Sequence, residues 1–365
     1  MNFLLGKLKS TFLTEGISKV YIKSFRRVKG IVLQFIYRSH ADPKPWSSLK
    51  NKYKGQRVFL IGAGPSINKT PLYLLKNENT MVFNRFFYFS ERINWDPTFY
   101  LTVDDVTFID TINEINDYIP KAKYAFFPYV HYRGVVFFNK IKNNKNILWL
   151  KQVMGKGISN ALPKIYPGSS VVIEGFQILQ YLGFDEIYVL GVDMSFNLNR
   201  KVEYLSSTSI DVVSQNDDDD NHFDPRYCGK GSKFRQPEAQ VVENIFADLE
   251  NIAQISKNNG VAIYNIGFDS MVECFKKIPF DEIFGYEKST VESLFLECFP
   301  PEMRPESVKI FETESQFINN PAEWDINLSS FYTDLSSGVE LIKKAIFTHI
   351  PLGPYESKYY FVRRM

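Results

Sequence analysis

The chain predicts an α/β fold: a doubly wound, mostly parallel sheet carrying a lid insertion and a small helical C-terminal subdomain. Three observations predict it. Short apolar runs alternate with helix-period segments between about residues 55 and 280; several runs end in Gly, Asn or Asp; and the first ends in the turn Gly62-Ala63-Gly64-Pro65-Ser66. A parallel strand feeding a glycine-rich turn lets backbone N–H groups approach a phosphate, which makes the sheet Rossmann-like.

The elements follow in order. In residues 1–45, Phe3, Leu4, Leu5, Leu8, Phe12 and Leu13 recur at helical spacing. Lys19, Lys23, Arg26, Arg27, Lys29 and Arg38 follow with few acids, and Ile31 to Tyr37 adds a second apolar patch. Such a basic amphipathic helix either lies on an anionic membrane surface or packs on the domain with its basic face solvated. Asp42-Pro43-Lys44-Pro45 and the polar run from Ser47 to Gln56 read as a linker.

The core domain, residues 55–280, opens with a strand at Val58–Ile61 and a short helix from Pro71 to Lys76. Strands at Thr80–Asn84 and Thr98–Val103 come next, the latter ending in Asp104-Asp105; Tyr124–Pro128 and Asn146–Leu150 are further strands. Ser169–Leu182 has the helical period, and the strand Glu186–Leu190 ends in Gly191-Val192-Asp193. The amphipathic helix Pro237–Lys257 stops at Asn258-Asn259-Gly260, before the strand Val261–Ile266. Residues 200–235 break the alternation with a polar stretch containing Asp217–Asp220 and Asn221 through Gly231; a loop this long is a lid or a disordered insert. From 281 to 365 the pattern is helical and irregular, with Pro300-Pro301 and Pro305.

Bulk properties exclude several classes. Hydrophobic content of 44% and charged content of 23% describe a globular chain, and a net charge of +2 gives no reason to expect nucleic acid. Cys228, Cys274 and Cys298 show no metal-ligand spacing and fit a reduced, cytoplasmic compartment. No run reaches the roughly 18 apolar residues that span a bilayer, and Lys7 and Lys9 interrupt the start of any signal peptide. The expectation is a cytoplasmic protein held at the inner-membrane surface through its N-terminal basic helix; a homo-oligomer is compatible with it.

In doubly wound sheets, ligands sit beyond the carboxyl ends of the strands. Gly62, Gly64, Pro65 and Ser66, then Asn84, Asp104, Asp105 and Asp193, all fall at such ends. Ile67 stands where a dinucleotide fold wants a third glycine, and no Gly-Lys-Ser/Thr follows, so the expected nucleotide is neither NAD nor a P-loop ATP. Asp104-Asp105 could hold Mg²⁺ or Mn²⁺, bond a sugar hydroxyl, or cap the next helix; without a spaced Asp-x-Asp, the metal-free ligand role is preferred. Asp193 is placed to orient a loop or a ligand, or to cap. Among His40, His131, His222 and His349, His222 has the context of a general base, between an acidic run and Arg226, Tyr227 and Lys230. The plainer reading is a surface-loop histidine. His131 reads as packed or capping, and Asp217–Asp220 as a solvated charge run.

Together these residues resemble a known group. Ile61 through Ser66, followed by Val82-Phe83-Asn84-Arg85-Phe86-Phe87-Tyr88-Phe89, is similar to the start of the bacterial sialyltransferases of glycosyltransferase family 42, and Leu182 through Asp193 is similar to their later strand. Pro97-Thr98-Phe99-Tyr100 leading to Asp104, His222-Phe223 through Tyr227-Cys228-Gly229-Lys230-Gly231, and Gly260 through Asn265 resemble a related group of surface-glycan proteins described as 6-hydroxymethylpterin pyrophosphokinase-like. The likeness covers about residues 55–275. It implies inverting transfer of an acidic sugar from a CMP-sugar donor to a glycan or lipid-linked acceptor of capsule or lipopolysaccharide biosynthesis. No cofactor is implied. Gly62, Gly64, Ser66 and Asn84 would bind the nucleotide, and His222 would be the base. The sialyltransferases use an arginine where this chain has Pro167-Gly168-Ser169-Ser170. Tyr204, Arg226 and Tyr227 are candidate replacements, which leaves nonulosonic acids and Kdo open as the sugar. The rival readings are an ATP- and Mg²⁺-dependent pyrophosphokinase and a non-catalytic nucleotide-binding module of a glycan assembly complex.

Overall fold

The structure is a computed structural model; it describes residues 21–284, apart from 23, 71, 91, 92, 94, 143–144, 198–201, 205–210, 236–237 and 268–269, together with 308–311 and 360–363. Nine of the described strands form one parallel sheet: β1 (Arg57–Ile61), β2 (Asn79–Phe83), β3 (Phe99–Leu101), β4 (Tyr124–Val130), β5 (Ile147–Gln152), β6 (Lys164–Ile165), β7 (Glu186–Leu190), β11 (Ala262–Asn265) and β12 (Lys276–Lys277). Their spatial order is β12-β11-β7-β1-β2-β3-β4-β5-β6. The chain therefore walks outward from β1 to β6, and helix α6 (Val171–Leu182) returns it to β7 on the other side of β1. The strand order reverses between β1 and β7, and in doubly wound folds ligands sit at the carboxyl ends of strands at such a switch point.

The predicted strands and the two long helices are present within a few residues of their expected bounds; the second long helix, α7, is Ala239–Asn258. Val58, Phe59, Leu60 and Ile61 are fully buried, as a parallel strand covered on both faces requires. Alternation along β1 divides the core. Val58 and Leu60 join Met81, Phe176, Leu179 and the α7 residues Ile245, Leu249 and Ile252. Phe59 and Ile61 join an aromatic layer containing Phe86, Phe89, Phe108 and Phe127. The 3-10 turn Leu72–Leu75 stands where a short helix was expected. Sequence reading missed the short edge strands β6 and β12, which are too brief for a period to register.

Residues 41–56 are not a linker. Trp46, Leu49 and Tyr53 recur at helical spacing and are buried, and Trp46 stacks on Phe126 within α2 (Lys44–Ser47). Asn51 and Tyr53 donate backbone N–H groups to the carbonyls of Tyr181 and Leu182, satisfying the end of α6. Three apolar contacts outweigh the polar composition around them.

The insertion is ordered where it is described: β8 (Val202–Tyr204), β9 (Asp211–Ser214) and β10 (Lys233–Arg235) form an antiparallel sheet. Helix α1 (residues 24–36) covers the carboxyl end of β4. There Gln34 donates to the Val130 carbonyl, and the Tyr129 hydroxyl donates to the Gln34 carbonyl. Among the described residues no helix is long and apolar enough to cross a membrane. In the C-terminal segment, β13 (Val308–Phe311) pairs antiparallel with β14 (Tyr360–Arg363); the helical reading of 281–365, like that of residues 1–20, otherwise lies outside the described residues.

Candidate functional site

At the switch point the Gly62–Ser66 turn packs directly on the turn after β7. Gly64 donates its N–H to the Gly191 carbonyl. Asp193 accepts the Ser66 backbone N–H at 2.8 Å and the Ser66 hydroxyl as well. A Cβ on Gly62 would strike the Gly191 carbonyl, and one on Gly64 would strike the Asp193 carboxylate. Gly64 has an ordinary φ of −65°, so its lack of a side chain provides space rather than conformation. Asp193 thus orients the loop, one of the roles expected of it, and consumes the Ser66 donor that a phosphate would otherwise meet. Gly64→Ala should destabilise the chain by about 1–3 kcal/mol. Gly64→Ala with Asp193→Ala should cost less than the sum of the two singles, because the second change removes the clash partner. Urea unfolding of the three variants measures both quantities.

Asn84 follows β2 in the left-handed region at φ +48°, which Asn tolerates better than most side chains. Its carbonyl accepts the Tyr100 hydroxyl at 2.6 Å, and its side-chain Oδ1 is buried with no partner among the described residues. A strained backbone and an unmet acceptor together mark a site where a ligand group would be welcome. The next residue, Arg85, is only 1% exposed. It donates to the Tyr227 carbonyl, the Ser232 hydroxyl, the Lys233 carbonyl and Asp110, which ties the insertion to α4 (Asp105–Asp110).

Asp104 caps α4 by accepting the Thr107 N–H. Arg235, on β10, donates to both Asp104 and Asp105 at 2.8 and 2.7 Å and pairs with Asp211. Burial would raise the Asp105 pKa, yet His131, Arg235 and Arg133 facing it hold the carboxyl well below the usual range. His131 is packed, as expected; burial pushes it down to about 4, and its Nδ1 accepts the Arg133 N–H. A guanidinium lying across two carboxylates leaves no cradle for Mg²⁺ or Mn²⁺, so this pair does not fit a divalent ion.

The insertion brings His222 to the glycine loop. Phe223 donates its N–H to the Ala63 carbonyl, its carbonyl accepts from Asn68, and its ring sits among Phe86, Phe89 and Tyr227. The His222 ring stacks on Tyr227, with centroids 3.9 Å apart, and Nδ1 lies 2.8 Å from Asp219. Asp219 is buried and also accepts the Cys228 N–H, so it is no part of a solvated run. The spacing of three between Asp219 and His222 was the available signal. Asp219, His222 and Cys228 gather ligand-type atoms within 4.8 Å of one another. Asp219 orients the imidazole and accepts the Cys228 backbone N–H, which leaves the Cys228 thiol out of that bond. Of the other residues singled out, Arg226 donates to buried Asp224 twice through its guanidinium and once through its backbone N–H, and Tyr204 is 59% exposed on β8, reached by none of the described hydrogen bonds of the site. His40 stacks on Phe138, and His349 lies outside the described residues.

Ser169 and Ser170 open α6, whose Gly175 packs on Phe83 and Met81, so this turn shares the carboxyl edge with Asn84. Ser169 donates its N–H to Asp248. Glu174 in the first turn was missed by sequence reading. It is buried, its Oε2 has no partner among the described residues, and burial raises its pKa to about 8. An acid whose pKa is raised by folding stabilises fully below its unfolded value near 4.5, and that contribution is lost as pH rises through about 8. Glu174→Gln should therefore raise Tm at pH 8–9 relative to the parent and change it little at pH 5, as thermal melts across pH will show.

The sheet order defines a doubly wound α/β protein, and the residues described gather at its switch point. Residues 36–199, just under half the chain, match the family described as 6-hydroxymethylpterin diphosphokinase MptE-like, the resemblance drawn from the motifs. No curated protein matches. Among solved structures, the chain is similar to the MAf glycosyltransferase of Magnetospirillum magneticum AMB-1 (14% identity, TM-score 0.37), covering 64% of this chain and 37% of that one. It is also similar to the Campylobacter jejuni sialyltransferase CstII with cytidine-5'-monophosphate (11% identity, TM-score 0.33, covering 62% and 85%). CST-II with a trisaccharide acceptor and CMP is a third (12% identity, TM-score 0.33, covering 64% and 89%). The chain thus spans little more than a third of the MAf protein's length.

Proposed function

We propose that this chain is an inverting glycosyltransferase that moves an acidic sugar, a nonulosonic acid or Kdo, from a CMP-sugar donor to a surface-glycan acceptor. One observation carries the reading: an imidazole oriented by a buried carboxylate stands next to Phe223, whose N–H bonds to the glycine loop at the switch point. With Nδ1–H donated to Asp219, Nε2 is the free acceptor. It takes the proton of the acceptor hydroxyl as that oxygen attacks the anomeric carbon, while the bond to CMP breaks and Asp219 stabilises the imidazolium. The nucleotide would lie across the switch point, with Asn84 and the Ser169-Ser170 turn at hand. CMP leaves as a stable anion, so the scheme calls for no cofactor.

The family description names a diphosphokinase, a chemistry that would place Mg²⁺ on paired carboxylates. Asp104 and Asp105 are the paired carboxylates of a strand end, and their bonds to Arg235 argue against it. Incubating the purified chain with CMP-sialic acid, CMP-Kdo, UDP-sugars and ATP, with and without EDTA, tests the choice. CMP release indifferent to EDTA is expected; EDTA-sensitive AMP formation from ATP would overturn the proposal.

A further inference from the structure

Helix α1 presents its apolar side away from the protein. At about 3.6 residues per turn, Phe25, Val28, Val32 and Phe35 form one stripe, flanked by Ile31 and Ile36. These six are 51–65% exposed. The opposite side carries buried Gly30 and Gln34, and Gly30 packs so closely on the Tyr132 carbonyl that a Cβ would not fit. The helix is thus fixed to the domain by its small and polar face, the reverse of an ordinary surface helix.

Charge says what covers the stripe. No Asp or Glu occurs between Glu15 and Asp42, while Lys19, Lys23, Arg26, Arg27, Lys29 and Arg38 all fall in that interval. An apolar stripe bordered by cations and free of acids matches the interface of an anionic bilayer, where apolar side chains enter the acyl boundary and cations meet headgroups. A second copy of this chain would instead bring like charges together.

We infer that α1 seats the protein on an anionic membrane surface and thereby selects a lipid-borne acceptor. The second half rests on the proposed transfer reaction. Gln34 bonds to the carboxyl end of β4, and β4 is separated from β1 by β3 and β2. At the usual strand spacing, the switch point lies roughly 15 Å along the same sheet edge. A bilayer under α1 therefore runs beside the switch point, within reach of a glycan carried on a lipid.

The test is sedimentation of the full chain with vesicles of phosphatidylcholine alone, or mixed with phosphatidylglycerol. The parent should pellet with the mixed vesicles, and less so as salt rises. Phe25→Ser/Val32→Ser/Phe35→Ser, all exposed positions, should lower the bound fraction by at least about tenfold while keeping the parent's thermal melt. Hydrogen exchange on the mixed vesicles should slow in residues 24–36 and 131–136 and stay unchanged in 48–56, at the opposite sheet edge. Unchanged pelleting of the triple variant overturns the inference. So does a dimer, seen by light scattering, that the variant dissolves, or slowing confined to 48–56. Donor hydrolysis needs no bilayer: a chain that pellets but releases no CMP refutes only the transferase reading, and one that releases CMP but does not pellet refutes only this inference.

Discussion

On the proposed mechanism, His222→Ala should lower CMP release from the donor by about 10²–10⁴-fold, the usual contribution of a positioned general base. In the proposed mechanism His222 acts on the acceptor hydroxyl rather than on the donor, so CMP affinity should change little, and the loss should fall on kcat rather than KM. Asp219→Asn separates orientation from mere bulk. Its amide carries no charge to stabilise the imidazolium, and where its NH2 rather than its oxygen faces Nδ1 it forces the proton onto Nε2, the acceptor of the proposed reaction. The loss should approach that of His222→Ala, although the ring stays stacked on Tyr227. Steady-state kinetics with CMP titrations checks both variants. If His222→Ala retains full turnover, the base lies elsewhere.

Arg85→Met lowers stability by about 3–5 kcal/mol, because it strands Asp110 and the carbonyls that Arg85 now satisfies. For a domain of this size Tm should fall by roughly 10 °C. Arg85→Met with Asp110→Leu should recover part of the stability, since no charge is then left unpaired. It should not recover turnover, because Tyr227, the platform under His222, still lacks its tether. Thermal melts and CMP release, measured together, distinguish the two effects.

The sheet was legible because its signal is local. Val58–Ile61 and Glu186–Leu190 announce buried strands by composition, and the turns after them announce the carboxyl edge. The site was only half legible, because its partners come from distant parts of the chain. Gly64 pointed to a close approach, but only the fold shows that Asp193, rather than a phosphate, fills the space. Asp219 carries the same letter as Asp217, Asp218 and Asp220, and no period tells the buried aspartate from its neighbours. Nothing local marks Arg85 or Arg235 as paired, because Arg85 meets the insertion and Arg235, within it, meets Asp104 and Asp105. Glu174 sits among small and apolar residues of a helix whose period fits equally well with it facing water. Trp46 and Tyr53 were outvoted by polar neighbours, which shows that a few large side chains decide burial better than an average does.

The bond between Phe223 and Ala63, with Asn68 gripping Phe223 from 155 residues away, fixes an order of assembly. During synthesis the glycine loop emerges early, and the imidazole that completes it emerges only after β1 to β7 have been made. A growing chain can form the glycine loop before the segment that carries His222 exists. Closing so long a loop is slow compared with local folding, so Phe223 and its neighbour His222 join the glycine loop late in assembly.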